Sequence, residues 1–230
     1  MLYLVPTPIG NLEDITLRAL RILREVDLIA CEDTRTSGVL LSYYNIETPR
    51  TSYHEHNERT KAPVLIDRMR AGQSIALISD AGSPGVSDPG FYLVRECVRS
   101  EIPITPLPGA TAFVPAITVS ALPVDRFTFE GFLPVKKGRQ TRLDELKSET
   151  RTITLYESPY RLVRTLGQLA ETLGDDRPVS VSRELTKKFE EIRRGTLREV
   201  HAYFMAQSKV RGELVIVVAG AGVTTDIWRD

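Results

Sequence analysis

The chain is poor in the residues that carry redox, metal and secretory chemistry. Its 230 residues include two cysteines, Cys31 and Cys97, and three histidines, His54, His56 and His201. The cysteines form no CxxC pair, and the only close histidine spacing is His54-Glu55-His56. A disulfide framework, a dithiol redox motif and a structural metal site therefore lose their support, and no metal is expected. The cysteines read as small buried residues. No apolar run approaches the roughly 20 residues that span a bilayer. Met1 to Thr7 also lacks the basic segment and apolar stretch of a secretory signal, so a cytoplasmic protein with no membrane partner is expected. Neither GxxxxGK[ST] nor GxGxxG occurs, which removes the main support for a nucleoside triphosphate or Rossmann dinucleotide site. Low-complexity tracts and clear internal repeats are missing too.

What is present is an α/β pattern. A hydrophobic content of 42% supports a substantial core. The first half alternates strands at Leu2–Val5, Leu28–Cys31, Thr51–His54, Ile75–Ser79 and Ile102–Leu107 with helical segments. After a join near Leu122–Asp125, the second half offers strands at Arg126–Gly131, Thr152–Glu157, Val179–Arg183, Glu191–Gly195 and Glu213–Ala219. Helices are predicted at Gln140–Lys147, Tyr160–Leu173 and Leu197–Ala206. These strands lie close enough in sequence for antiparallel neighbours, so a mixed sheet is expected. The division predicts one α/β domain over residues 1–121 and a second over 122–230.

The most informative stretch is Ile75 to Gly90, IALISDAGSPGVSDPG. An apolar strand delivers Ser79 and Asp80 to its carboxyl end, where open α/β sheets collect ligands. Glycines and prolines make the following loop accommodating yet restricted. Asp88 before Pro89 reads as an N-cap with proline in the first helical position, opening a helix over Phe91–Val98. An acid at the strand end repels phosphate and suits a cationic or zwitterionic ligand. Two further loops share this character. One is Pro6–Gly10 after the first strand; the other is Pro108–Thr111 after the fifth, where Thr111 is placed to cap the next helix. All three could border one crevice.

Charge becomes informative once divided. The first 120 residues hold 11 Lys/Arg against 14 Asp/Glu, and the remaining 110 hold 19 against 16. Lys136, Lys137, Arg139 and Arg142 occur without an intervening acid; Arg183, Lys187, Lys188, Arg193 and Arg194 form a second, acid-diluted cluster. On charge alone these are either solvated surface or phosphate contacts.

The ordered set VPTPIGNLEDITLRAL, CEDTR, ISDAGSPGVSDPG, LPGATA, EGFLP, YESPYR and RELTKKFEE resembles the tetrapyrrole-methylase-like superfamily, from Leu2 to about Gly220. Within it, the match is to the bacterial branch that methylates a cytidine 2'-hydroxyl in the decoding region of small-subunit ribosomal RNA. The resemblance implies class III architecture, with S-adenosylmethionine held in a cleft between two α/β domains, and a homodimer acting on ribosomal RNA or the assembled small subunit. Donor contacts carried over are Pro8 and Ile9, then Asp80, Gly82, Ser83, Pro84 and Val86, then Thr111 and Ala112. The second domain adds Ser158, Leu162 and Leu185. PTPIG replaces a more glycine-rich GxGxG first loop, as in the ribosomal RNA branch. The resemblance also favours RNA contact for Lys136, Lys137, Arg139 and Arg142.

No general base emerges. Glu32, Asp33 and Arg35 in CEDTR read either as a polar group at the site mouth, with Arg35 on RNA phosphate, or as a helix cap with its ion pair. His54 or His56 could accept a proton. Tyr53, Tyr156 and Tyr160 either stack on bases or pack between sheet and helix. Glu157 and Arg161 are placed to orient the Ser158–Pro159 loop by an ion pair. Two other functions stay open: a methyltransferase of the same architecture acting on a tetrapyrrole or other small molecule, and a non-catalytic nucleoside-binding module.

Overall fold

A computed structural model describes residues 1–228; Arg229 and Asp230, the end of the expected second domain, lie outside the described residues. The chain forms two compact units, Met1–Thr111 and Ala112–Asp230. The expected α/β class is found in both.

The first unit is built from β1 (Leu2–Leu4), α1 (Leu17–Glu25), β2 (Leu28–Cys31), α2 (Thr34–Tyr43), β3 (Arg50–Ser52), α3 (Glu58–Arg70), β4 (Ile75–Ile78), α4 (Phe91–Arg99) and β5 (Ile104–Pro106). Its sheet runs β3-β2-β4-β1-β5 with every pair parallel. Successive strand side chains point to opposite faces. Ile29, Cys31, Ala76 and Ile78 therefore meet Ala19, Ile22, Leu23 and Leu41 on one face, while Leu28, Ala30, Ile75 and Leu77 meet Leu65, Met69, Leu93 and Cys97 on the other. Burial on both faces explains why β2 and β4 read as unbroken apolar runs. Both cysteines are free and buried, one on each face.

The second unit contains α5 (Phe113–Ser120), β6 (Phe127–Phe132), α6 (Arg139–Leu146), β7 (Thr152–Glu157), α7 (Leu162–Leu173), β8 (Pro178–Arg183), β9 (Glu191–Thr196), α8 (Leu197–Met205) and β10 (Leu214–Val218). The sheet order is β6-β7-β10-β8-β9, with β6 parallel to β7 and the other pairs antiparallel. This is the mixed sheet the strand spacing predicted. One face packs Ile153, Leu155, Val179, Val181 and Ile216 against Leu143, Leu166, Leu169, Val200 and Phe204 of α6, α7 and α8. A reciprocal capping box opens α8, with Thr196 Oγ1 accepting from the Glu199 N–H at 3.2 Å and Glu199 Oε2 accepting from the Thr196 N–H at 2.9 Å.

Three local expectations are corrected. The division falls between Thr111 and Ala112, not after residue 121, because α5 packs on β7, β8 and β10. Asp88 and Pro89 do not open α4: the cap is Gly90, which supplies no side-chain hydrogen bond. Thr111 likewise does not cap α5, whose N-cap residue is Ala112. Among the described residues, no helix is long and apolar enough to cross a membrane.

Candidate functional site

In the first unit, the loops after β1, β4 and β5 are tied together by polar contacts. Thr7 and Gly82 exchange both backbone hydrogen bonds at 2.9 Å, and Thr7 Oγ1 donates to the Ser79 carbonyl at 3.1 Å. Ser83 Oγ donates to the Ala110 carbonyl at 3.1 Å, joining the β4 loop to the β5 loop. Gly82 has φ +81°, and a Cβ there would lie 3.6 Å from Ile9 Cγ2 and 3.9 Å from the Ala110 oxygen. A Cβ on Gly109 would come within 2.6 Å of Pro6 Cβ, so the β5 loop closes on the β1 loop only with glycine there. Thus Ile9, Gly82 and Ser83 occupy one locus at the carboxyl ends of adjacent strands, as the three-loop reading expects. Pro8, Ile9 and Pro84 are buried there, Ser83 and Val86 half-buried, and Asp80 exposed; Thr111 and Ala112 are half-buried where the two units join in sequence.

Carboxylates collect beside these loops. Asp80 Oδ1 accepts from the Asp33 N–H at 3.1 Å, linking the ends of β4 and β2. Burial pushes the Asp88 carboxyl up to about 6, and the charge of Glu32 adds to the rise while the Ser79 hydroxyl opposes it. Glu32 is also raised, first by burial and then by the charge of Asp80. Partial desolvation raises Asp80 as well, with the Asp33 N–H pulling it back. A cation placed here relieves that mutual repulsion. Sequence reasoning missed Asp88 by reading it as a helix cap. Its signal was its loop, since an acid eight residues beyond Asp80 in a turn-rich segment can fold back to the same strand end.

CEDTR contains both elements of its cap reading. Asp33 Oδ1 accepts from the Arg35 N–H at 2.8 Å as the N-cap of α2, and its carboxylate pairs with the Arg35 guanidinium at 2.7 Å. The Arg35 side chain is still 90% exposed. His54 is half-buried with a ring nitrogen 3.1 Å from Asn57 Nδ2, and His56 is exposed. Tyr53 is fully buried in the first unit's core and unable to stack on a base.

In the second unit, Glu157 organises the 158–162 turn. Its Oε1 accepts from the Ser158 N–H at 2.8 Å and pairs with Arg161 at 2.7 Å, while its Oε2 accepts from Thr165 Oγ1 at 2.6 Å. The Glu157–Arg161 pair is the one expected to orient this loop. Leu162 lies inside the hydrophobic core, which leaves only its backbone for a ligand. Leu185 is buried between Glu184 and Thr186, both at positive φ. Tyr156 packs edge-on to Phe129 and Phe132, whereas Tyr160 is 87% exposed.

The basic run divides sharply. Lys136 and Lys137 are exposed. Arg139 is not: at 5% exposure it donates to Gln168 Oε1 at 2.8 Å, Thr165 Oγ1 at 2.7 Å and the Pro134 carbonyl at 3.1 Å. Its role as a phosphate contact is withdrawn, because the guanidinium is buried and hydrogen-bonded inside the unit. Arg142 lies between Glu130 at 2.6 Å and Glu145 at 2.5 Å, so its charge is already compensated. In the second cluster, Arg183 pairs with Glu191, Lys187 bridges Glu184 and Glu213, Arg193 sits over Tyr203, and Arg194 donates to the Val119 carbonyl.

Residues 1–201 match the family described as Tetrapyrrole (Corrin/Porphyrin) Methylases. The chain is 52% identical over 98% of its length to "Ribosomal RNA small subunit methyltransferase I" of Mesorhizobium japonicum, covering 77% of that protein. It is 51% identical over 96% of its length to the protein of that name from Synechocystis, covering 79% of it. Among solved structures, uroporphyrin-III-C-methyltransferase from Thermus thermophilus superposes with a TM-score of 0.67 at 21% identity, over 94% of this chain and 93% of that one. Cobalt precorrin-4 methyltransferase gives 0.66 at 19%, over 95% and 94%. At those identities the likeness is one of fold. A family match over most of the length, relatives about half identical and a shared two-sheet architecture agree: the chain belongs to the tetrapyrrole methylase family.

Proposed function

We propose that this protein transfers a methyl group from S-adenosylmethionine to the 2'-hydroxyl of a cytidine in the decoding region of small-subunit ribosomal RNA. The observation that carries the donor half is the joined loop locus beside Asp80, Asp88 and Glu32. Its glycine-lined surface admits a ligand close to the backbone, and its carboxylates suit a molecule bearing sulfonium and ammonium charges. Ile9, Gly82, Ser83 and Asp80 would hold the donor, with Pro8, Pro84, Val86, Thr111 and Ala112 shaping its surroundings. Ser158, Leu162 through its backbone, and Leu185 are proposed as contributions from the second unit. When bound, S-adenosylmethionine supplies an electrophilic methyl carbon. The protein's own residues then orient the ribose oxygen, exclude water and let the hydroxyl proton depart.

Support for the RNA half comes from the relatives about half identical to this chain, whose shared name specifies the small-subunit ribosomal RNA. Lys136 and Lys137, exposed and outside any ion pair among the described residues, are the proposed phosphate contacts in the second unit, with Arg35 in the first. The reading includes a cytoplasmic homodimer.

The decisive experiment incubates radiolabelled S-adenosylmethionine with purified small ribosomal subunits and maps the label to a nucleotide. Loss of label when that position is 2'-deoxy establishes ribose methylation. Donor binding without RNA labelling would redirect the assignment to a small-molecule methyltransferase, and failure to bind the donor would remove the catalytic reading altogether.

A further inference from the structure

A second concave surface lies in the first unit, along α2 and the edge strand β3. It is an open cavity of about 710 Å³ bordered by Thr34, Arg35, Val39, Ser42, Tyr43 and Arg50. Its floor is Gly38, in the middle of α2, where a Cβ would lie 3.2 Å from Nη2 of Arg50. The guanidinium of Arg50 thus rests against bare helix backbone. Glycine inside a helix is unfavourable relative to alanine, and here it vacates the space that the guanidinium fills.

Three properties of this groove point to one class of ligand. Among the described residues, Arg50 has neither ion pair nor side-chain hydrogen bond, so its five donors are uncommitted. Arg35 borders the same space; it is paired with Asp33 at 2.7 Å, so it adds guanidinium donors on a 90% exposed side chain and no net charge. Val39 and Tyr43, 69% and 61% exposed, line the same groove and offer an apolar and aromatic wall beside Arg50. Cation, ring and hydroxyls on one surface match a sugar-phosphate strand: phosphate to arginine, base or sugar face to tyrosine. A further open concavity, between β6 and α6, lacks an uncommitted arginine, because its Arg142 is compensated by Glu130 and Glu145.

We propose that the α2 groove binds a single-stranded RNA segment, with Arg50 and Arg35 on its phosphates and Tyr43 against a base or ribose. This rests on the ribosomal RNA reading above and extends it to a surface at the edge of the first unit's sheet, with Arg50 and Tyr43 as new contacts.

The test compares wild type, Arg50→Met, Arg50→Lys and Tyr43→Ala for equilibrium binding to purified small ribosomal subunits across a salt series. Donor affinity by calorimetry and thermal unfolding are measured in parallel. Arg50→Met should bind subunits about tenfold more weakly, the effect of losing one charge-assisted contact. Its slope of log affinity against log salt should be smaller by about 0.7–0.9, one phosphate's share. Donor affinity and unfolding should match wild type. Arg50→Lys should recover part of the loss, since it keeps the charge but not the fork, and Tyr43→Ala should weaken binding without changing the salt slope. Unchanged affinity and slope in Arg50→Met, with wild type binding normally, would overturn the groove proposal and leave the function standing. Wild type that binds the donor but not the subunits would overturn the RNA reading, and the groove proposal with it.

Discussion

Replacing Arg139 by methionine separates a buried structural cation from a surface RNA contact, because the two roles predict opposite outcomes. The Arg139 side chain is 6% exposed, against 1% for Glu157, whose Oε2 lies 3.8 Å from Nη2. Arg139 also satisfies Gln168, Thr165 and the Pro134 carbonyl. Removing one partner of a buried charged group costs about 3–5 kcal/mol. Arg161 still holds Glu157 at 2.7 Å, so the remaining carboxylate is not bare and the cost falls to about 2–3 kcal/mol. At roughly 2–4 °C per kcal/mol for a chain of this size, the melting temperature should fall by about 5–10 °C. The assay is urea and thermal unfolding followed by circular dichroism, paired with small-subunit binding at a temperature where both proteins are folded. The expected result is a clear loss of stability with little change in RNA affinity. A variant within about 0.5 kcal/mol of wild type in stability that bound RNA poorly would refute the reasoning and restore Arg139 as a surface contact.

Asp80→Ala should weaken S-adenosylmethionine binding in calorimetry while leaving the unfolding curve close to wild type; unchanged donor affinity would remove Asp80 from the site. Asp88→Asn carries a pH signature. The folded-state value of about 6 lies above the ordinary 3.8, so the protonated group's contribution to stability is complete below pH 4 and is lost as pH rises through 6. The variant should therefore be more stable than wild type at pH 7, on the order of 1–2 kcal/mol, with the gap closing below pH 4 in urea titrations. Wild-type donor affinity should fall as pH is lowered through 6, when the carboxylate is neutralised; a flat profile would separate Asp88 from the donor. Replacing Lys136 and Lys137 together by alanine should reduce the salt slope of subunit binding by about 1.4–1.8 and spare donor affinity, and equal loss of both would contradict the division of roles. Gly38→Ala should raise stability by about 0.5–1 kcal/mol, because the exposed Arg50 side chain can swing away; destabilisation in urea would show that the guanidinium is held there.

Strands buried on both faces were legible from local sequence, to within a residue at either end. Leu28–Cys31, Ile75–Ile78 and Leu214–Val218 read as continuous apolar runs because their sheet positions are central. Local rules failed where tertiary folding supplied the partner. Asp88-Pro89 has the form of a helix start, yet the loop continues to Gly90 and leaves Asp88 beside Glu32. Arg139 stands among exposed basic neighbours in the sequence, although helical periodicity contained the correction: Arg139, Leu143 and Leu146 share one buried face of α6. Its partners Thr165 and Gln168 lie 26 and 29 residues away, beyond any local pattern. The Leu122–Asp125 segment resembles a linker, but α5 before it already belongs to the second sheet. The three donor-loop segments were legible as strand ends. Their convergence depends on the order β4-β1-β5, which brings together turns more than seventy residues apart in the case of Thr7 and Gly82.

The proposed reaction makes conflicting electrostatic demands on one end of the first unit's sheet. A sulfonium donor favours carboxylates, and those carboxylates repel an approaching polyanion. The CEDTR segment divides the two demands residue by residue. Glu32 stays among Asp80 and Asp88 and contributes negative potential. Asp33, one residue later, adds little to it, because hydrogen bonds from Arg35 hold its carboxyl down at about 2 while its N–H serves Asp80. What Asp33 and Arg35 present to solvent is accordingly a pair without net charge. Further along the same helix, Gly38 seats Arg50, whose charge no carboxylate among the described residues offsets. Along α2 the local charge passes from acidic through neutral to basic, the basic end supplied by Arg50 of β3. On the proposed reading, that gradient lets donor and RNA approach neighbouring surfaces of the first unit without competing for the same groups.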